Sequence, residues 1–261
     1  MAQLFITHIV ISNANSMKPK SIIVTLFALL FGCSQNGVEK IGKNPYDEVP
    51  AAIVPSKPCI TLYKSIMDMF YEHVDNQSKY PMLFADTTQK EILITQESEA
   101  YVTFISEGAG FENSLGYYTY DNAAGPGKKS NLKLHILFPH VSKAVLTKGD
   151  LLQVGTGKFA KGTVIGFFLV VRGWEDGFVN FDKITQYTDY DFNLDHLQQH
   201  ILFKEGTCGD IVMAFEDKAL NSGSDYDFND VIFTISDNNQ QLETVSFDLR
   251  SMVKFFDVNN P

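Results

Sequence analysis

Basic residues are scarce in this sequence of 261 residues: 21 Lys and Arg stand against 31 Asp and Glu, giving a formal net charge of -10. No run of Lys and Arg exists that could neutralise a phosphate backbone, so nucleic acid is excluded as a partner. Cysteine is scarcer still, at three residues. That is too few for a disulfide framework, and no close Cys/His spacing offers a zinc site. Cys59 and Cys208 could form one pair in an oxidising compartment, or stay as two thiols; the sequence leaves both open. The G-x-S-x-G elbow of a serine hydrolase is missing, and Cys208 with His200 has no local signature of a nucleophile pair. Carboxylates are plentiful, but a glycosidase needs a defined separation between two of them. The expectation is therefore a protein that is not an enzyme.

Long apolar runs are also missing. The longest near the N-terminus, Ile22–Phe31, falls short of the roughly 20 residues that span a bilayer. It follows the basic stretch Met17-Lys18-Pro19-Lys20 and precedes Gly32-Cys33, which is the order of a secretory signal. Leu30-Phe31-Gly32-Cys33 resembles a lipobox, although Phe31 is bulkier than the usual residue. This predicts a signal peptide over 1–33, translation from Met17, and a lipid anchor on Cys33. Ser34 directs such a lipoprotein to the outer membrane under the bacterial sorting rule, exposed to the periplasm or at the surface.

What is abundant is aromatic: 21 Phe and 11 Tyr favour strands. Residues 34–58 hold Pro45, Pro50, Pro55 and Pro58 and read as a tether. One helical signal lies over 61–74, with Leu62, Ile66, Met69, Phe70 and Val74 on one face, inside a lead-in segment 59–94. From there the period turns to two. Leu132–Phe138 and Thr244–Arg250 alternate apolar and polar, as half-buried strands do, whereas the wholly apolar Val164–Val171 predicts a central strand covered on both faces. Short runs at His200–Phe203, Ile211–Phe215 and Val231–Ile235 follow, with turn residues between. Helical segments between the strands are lacking, which excludes a doubly wound α/β fold. The predicted class is all-β: a jelly-roll-like β-sandwich of antiparallel strands over 95–261, with one short N-terminal helix.

The sharpest motif is Asp225-Tyr226-Asp227-Phe228-Asn229-Asp230. Oxygen side chains at alternate positions suit a hard cation, since Ca2+ takes six to eight oxygens at about 2.3–2.6 Å. The EF-hand pattern fails here: Asp230 stands at the turn-glycine position, Ser236 at the bidentate-Glu position, and a strand follows. Further ligands must come from elsewhere, and Glu216-Asp217 at the end of the preceding strand are the candidates. An acid-rich turn that only meets solvent is the plainer reading of the same residues. The pentapeptide recurs as Asp189-Tyr190-Asp191-Phe192-Asn193, with Asp195 beyond it; it could mark a second metal site, one site shared by two loops or a twisted edge, and with no acidic pair beside it the repeat is read as coincidence. The glycines of Glu107–Gly116 are followed by no Lys-Ser/Thr, so they mark a turn and not a phosphate loop. Tyr117, Tyr118 and Trp174 are candidate stacking surfaces for a sugar, or else core residues.

The segments Val102–Phe111, Leu115–Tyr118, Ile136–Pro139, Gly162–Leu169 with Gly173-Trp174, Phe215–Asp217 and Ser224–Phe233 together resemble the LruC-type domain of unknown function (the 4114 family), over roughly 95–240. The resemblance implies a β-sandwich in exported bacterial proteins, no established catalysis, and calcium at Glu216, Asp217, Asp225, Asp227, Asn229 and Asp230. The segment at Asp189–Asn193 departs from that family and takes no role from it. The resulting expectation is a calcium-binding, lipid-anchored envelope module that acts structurally or by interaction. A carbohydrate- or host-ligand-binding adhesin is the alternative, and a hydrolase of envelope polymers the third. The membrane is a partner through the lipid, and a protein or glycan ligand is the remaining one.

Overall fold

The computed structural model describes residues 45–255. The predicted signal peptide, Met17, the predicted lipobox Cys33 and residues 34–44 of the predicted tether lie outside the described residues. In chain order the elements are β1 (Val54–Pro55), α1 (Ile60–Met69), α2 (Asn76–Lys79), β2 (Ile92–Leu93), β3 (Tyr101–Ser106), β4 (Asn113–Asp121), β5 (His135–Val141), β6 (Asp150–Gln153), β7 (Thr163–Val170), β8 (Trp174–Glu175), β9 (Phe178–Val179), β10 (Thr185–Tyr187), β11 (His200–Glu205), β12 (Ile211–Phe215), β13 (Val231–Ser236) and β14 (Val253–Phe255). They build an all-β sandwich. One main sheet runs β1-β6-β3-β13-β12-β11-β14, the other β10-β7-β4-β5 with β2 beside β7, and β8 and β9 form a separate two-stranded ribbon. Every pairing is antiparallel except β11 with β14.

Period two explains how the larger sheet is covered on both faces. Ile211, Met213 and Phe215 of β12, with Val231, Phe233 and Ile235 of β13, face Leu115, Ile165, Phe167 and Leu169 of the other sheet. Their neighbours Val212, Ala214 and Ile232 face outward, where Leu62, Ile66, Met69 and Phe70 of the α1 segment cover them. β7 is likewise apolar throughout because Phe168 and Val170 pack outward on Tyr118 and Tyr187.

Three expectations need correction. The helix is shorter than 61–74: it ends at Met69, and His73 takes a φ of 64° as the chain turns toward the acidic loop at Asp225–Asp230. The tether does not extend to residue 58. Ile53 packs on the core, Val54 and Pro55 pair with Leu151 and Asp150, and Ser56 N–H donates to the Gly149 carbonyl at 2.8 Å. Pro55 is tolerated there because an edge strand has an N–H to spare. The alternation in Thr244–Arg250 yields one bridge, Ile94 with Phe247, and not a strand. Asp237 Oδ2 takes the Val245 and Ser246 N–H groups that a ladder would have used.

Candidate metal centre

β12 and β13 pair from Ile211↔Ile235 to Phe215↔Val231, and the chain between them forms a long loop at one end of the sandwich. Glu216 and Asp217 leave β12, and Asp225–Asp230 lead into β13. The loop is tightly curled: Tyr226 and Phe228 adopt φ values of 63° and 55°. The left-handed region costs a non-glycine residue about 1–2 kcal/mol, so both need anchors. Phe228 is fully buried beside Phe84, their centroids 5.2 Å apart. Tyr226 Oη donates to the Leu220 carbonyl. Anchoring two aromatics inward leaves the alternate oxygen-bearing side chains gathered at the loop's mouth.

Those side chains fall into two groups. Glu216, Asp217 and Asp230 form the first, with one oxygen from each within 4.8 Å of the others. The Asp217 N–H donates to Asp230 Oδ2 at 2.7 Å, and Asn113 Nδ2 donates to Asp217 Oδ2 at 2.8 Å. Burial is the first cause of a raised pKa at all three. The Asp230 carboxyl is pushed up to about 9 by burial and then by the charges of Asp217 and Glu216. Glu216 is pushed up to about 7 by burial and then by Asp225 and Asp227. Asp217 also rises by burial, with Asn113 opposing the shift. Such a group holds a proton or a cation more readily than bare charge.

Asp225 and Asp227 belong to the second group, where they meet Glu72 and His73 within the same distance. His73 Nδ1 lies 2.7 Å from Asp225 Oδ2, a contact that raises the imidazole's pKa. Asp227 Oδ2 accepts the His73 N–H at 3.0 Å and Asn229 Nδ2 at 2.8 Å. Asn229 Nδ2 also donates to Glu72 Oε2 at 3.1 Å, so its amide braces this second group through N–H. Gly108 sits hard against it. A Cβ there would fall 2.4 Å from Asn229 Oδ1, and the Gly108 N–H donates to the Asn229 carbonyl at 3.0 Å.

The six residues named from sequence are thus assembled at one end of the sandwich, but not around one point. Glu72, His73, Asn76 and Asn113 were not legible as partners. Nothing in the sequence around them marks an acidic loop more than 100 residues away.

The repeated pentapeptide behaves differently. Tyr190–Phe192 form a 3-10 turn, capped by Asp189 accepting the Asp191 N–H. Asn193 is buried, and its amide serves the backbone of Tyr187 and Leu197. This copy forms a capped 3-10 turn with its buried Asn193 spent on backbone.

The aromatic stacking surface is corrected. Tyr117, Tyr118 and Trp174 are 8, 0 and 9% exposed. Tyr118 Oη donates to the half-buried Glu91, Tyr117 stacks on His135, and Trp174 stacks on His140. A sugar ring cannot reach faces that are already covered.

Comparison with known proteins agrees with part of this picture. No curated protein and no solved structure matches the chain. The family described as a domain of unknown function, DUF4114, matches residues 159–238, which run from β7 to just beyond β13 and include the whole acidic loop.

Proposed function

We propose that this chain is a calcium-binding, lipid-anchored module of the bacterial envelope that acts structurally or by interaction and not by catalysis. The observation that carries it is the meeting of Glu216, Asp217 and Asp230, two buried carboxylates and one half-buried, within 4.8 Å of one another. Buried like charges are costly unless a cation or a proton joins them. The donor set supports a hard ion. It holds oxygen alone, with no thiolate or imidazole to favour zinc or copper. A bound ion would tie the two ends of the β12–β13 loop together and hold the neighbouring loops in one arrangement for a partner. The anchor rests on Cys33, and the outer-membrane location on Ser34.

The adhesin reading loses support, because Tyr117, Tyr118 and Trp174 were its platform. The deciding measurement is the melting temperature over a calcium titration. Calcium raises it for the natural sequence, and Asp230→Asn leaves it flat while stabilising the calcium-free protein. A natural protein whose melting curve ignores millimolar calcium would rule the proposal out.

A further inference from the structure

The segment that braces the metal loop is fastened at its other end by a covalent bond. Cys59 and Cys208 form a disulfide across a sequence separation of 149 residues. Cys59 caps the N-terminus of α1, and Cys208 sits in the turn between β11 and β12. From that point α1 crosses the outer face of the larger sheet, burying Leu62, Ile66 and Met69. Besides the Glu72 and His73 side-chain contacts to Asn229 and Asp225, the chain leaving it grips the loop at three more points. His73 N–H donates to Asp227 Oδ2 at 3.0 Å, Asn76 N–H to the Tyr226 carbonyl at 2.9 Å, and Asn76 Nδ2 to the Asp227 carbonyl at 2.7 Å. A short stretch of chain therefore has the disulfide at its head and the acidic loop at its tail.

A cleft of about 350 Å³ opens beside Cys208, lined also by Lys204, Gly206, Thr207, Glu243 and Lys254. Cys59 does not line it. Glu205 Oε2 accepts the Thr207 and Cys208 N–H groups, at 2.9 and 2.6 Å, which holds the turn and its sulfur in place. Lys204 and Lys254 are balanced at the cleft by Glu205 and Glu243, the latter 3.4 Å from Lys204, so what singles out Cys208 is its place in the lining and not the cleft's charge.

We propose that the Cys59–Cys208 disulfide is an exchangeable latch, opened by a thiol reductant through the Lys204–Lys254 cleft, and that its opening loosens the grip of residues 72–76 on the acidic loop. The thiolate of a dithiol attacks Cys208 Sγ, breaking the S–S bond and releasing Cys59 as thiolate. The reductant's second thiol then attacks its own sulfur in the mixed disulfide and releases Cys208. Two electrons pass to the protein, the dithiol leaves as a disulfide, and its two protons end on the cysteines. The β1–β6 pairing and the apolar face of α1 persist, so the effect is local. Weaker calcium binding in the reduced state is a consequence that rests on the function proposed above.

Amide hydrogen exchange on the full chain tests the latch, with and without dithiothreitol. Reduction is expected to speed exchange at Phe228 and Asn229 roughly tenfold, about 1.4 kcal/mol of protection, and to leave β4 and β7 unchanged. The Cys59→Ser/Cys208→Ser variant should match the reduced protein and ignore the reductant. Unchanged loop exchange overturns the latch, and so does a loss of protection that spreads to β4 and β7. Brief treatment with glutathione, then iodoacetamide, should place the glutathione on Cys208 and the alkyl group on Cys59; the reverse placement overturns the cleft as the route. Calcium titration in both redox states separates the two readings. Weaker binding on reduction supports the coupling. Faster loop exchange with calcium bound in neither state keeps the latch and rejects the calcium function.

Discussion

The backbone N–H of Asp217 donates to Asp230 Oδ2 at 2.7 Å, joining the two ends of the β12–β13 loop where two carboxylates would otherwise repel. This contact makes Asp230 the residue on which the charge balance of the site turns. Its carboxyl is held by one amide and crowded by Glu216 and Asp217, and burial adds to the crowding.

The pH dependence of stability follows from that balance. Folded-state values of about 9 for Asp230 and about 7 for Glu216 lie above the ordinary 3.8 and 4.5. A raised value means that the folded form holds its proton more tightly. The stability contributed is full below pH 4 and is lost as pH rises through about 7 and then about 9. Under the function proposed above, calcium would bind the ionised form and oppose this loss. Melting temperatures measured with chelator and with calcium from pH 5 to 9 should diverge as pH rises. Parallel curves would show that the ion is not held by these carboxylates.

Phe228 tests how the loop is seated. Its ring is fully buried although its backbone is left-handed, so packing is what holds the strained turn. Phe228→Ala should cost about 3–5 kcal/mol in urea denaturation. Phe228→Leu, which keeps most of the apolar contact, should cost much less. Similar losses for both would mean that the ring is not the anchor.

Two glycines in one turn separate space from flexibility. At Gly108 a Cβ would meet Asn229 Oδ1 at 2.4 Å, whereas at Gly110 it meets nothing within 4 Å. Gly108→Ala should displace Asn229 and destabilise by about 1–3 kcal/mol. Gly110→Ala should stay within about 0.5 kcal/mol of the natural protein. A thermal shift comparison reads both, and equal effects would remove the role given to the Gly108 contact.

These contacts show what the sequence could and could not reveal. The apolar run of β7 announced a strand covered on both faces, because no polar residue interrupts it. Leu132–Phe138 was read as one alternating face, but β4 and β5 shift register between Leu115 and Gly116. Leu137 and Phe138 consequently both enter the central core while Ile136 packs outside, and a bulge of this kind leaves no mark in the alternation. Identical Asp-Tyr-Asp-Phe-Asn strings take two backbones: a 3-10 turn at 189–193, and a left-handed curl at 225–229 held by Phe84 and Leu220. Local sequence is the same in both, so tertiary packing decides. The acidic half of the site was legible because it is contiguous. Its other half, Glu72 to Asn76, becomes visible only once α1 is laid across the sheet.

His200 gives the opposite sign of pH dependence and isolates it from the carboxylates. The residue is fully buried, with Nε2 2.9 Å from the Lys90 carbonyl and the ring tilted against Phe215. A carbonyl accepts, so Nε2 carries the proton of a neutral imidazole. Burial depresses the pKa to about 3 from the ordinary 6.5. The stability contributed by the neutral ring is full above pH 6.5 and is lost as pH falls toward 3, because unfolding lets the ring take up a proton. His200→Gln keeps an N–H donor for Lys90 and cannot titrate. Its stability relative to the natural protein should therefore improve steadily below pH 6.5 and stay constant above it. A difference that does not change with pH, measured by urea denaturation between pH 4 and 8, would place the acid sensitivity elsewhere.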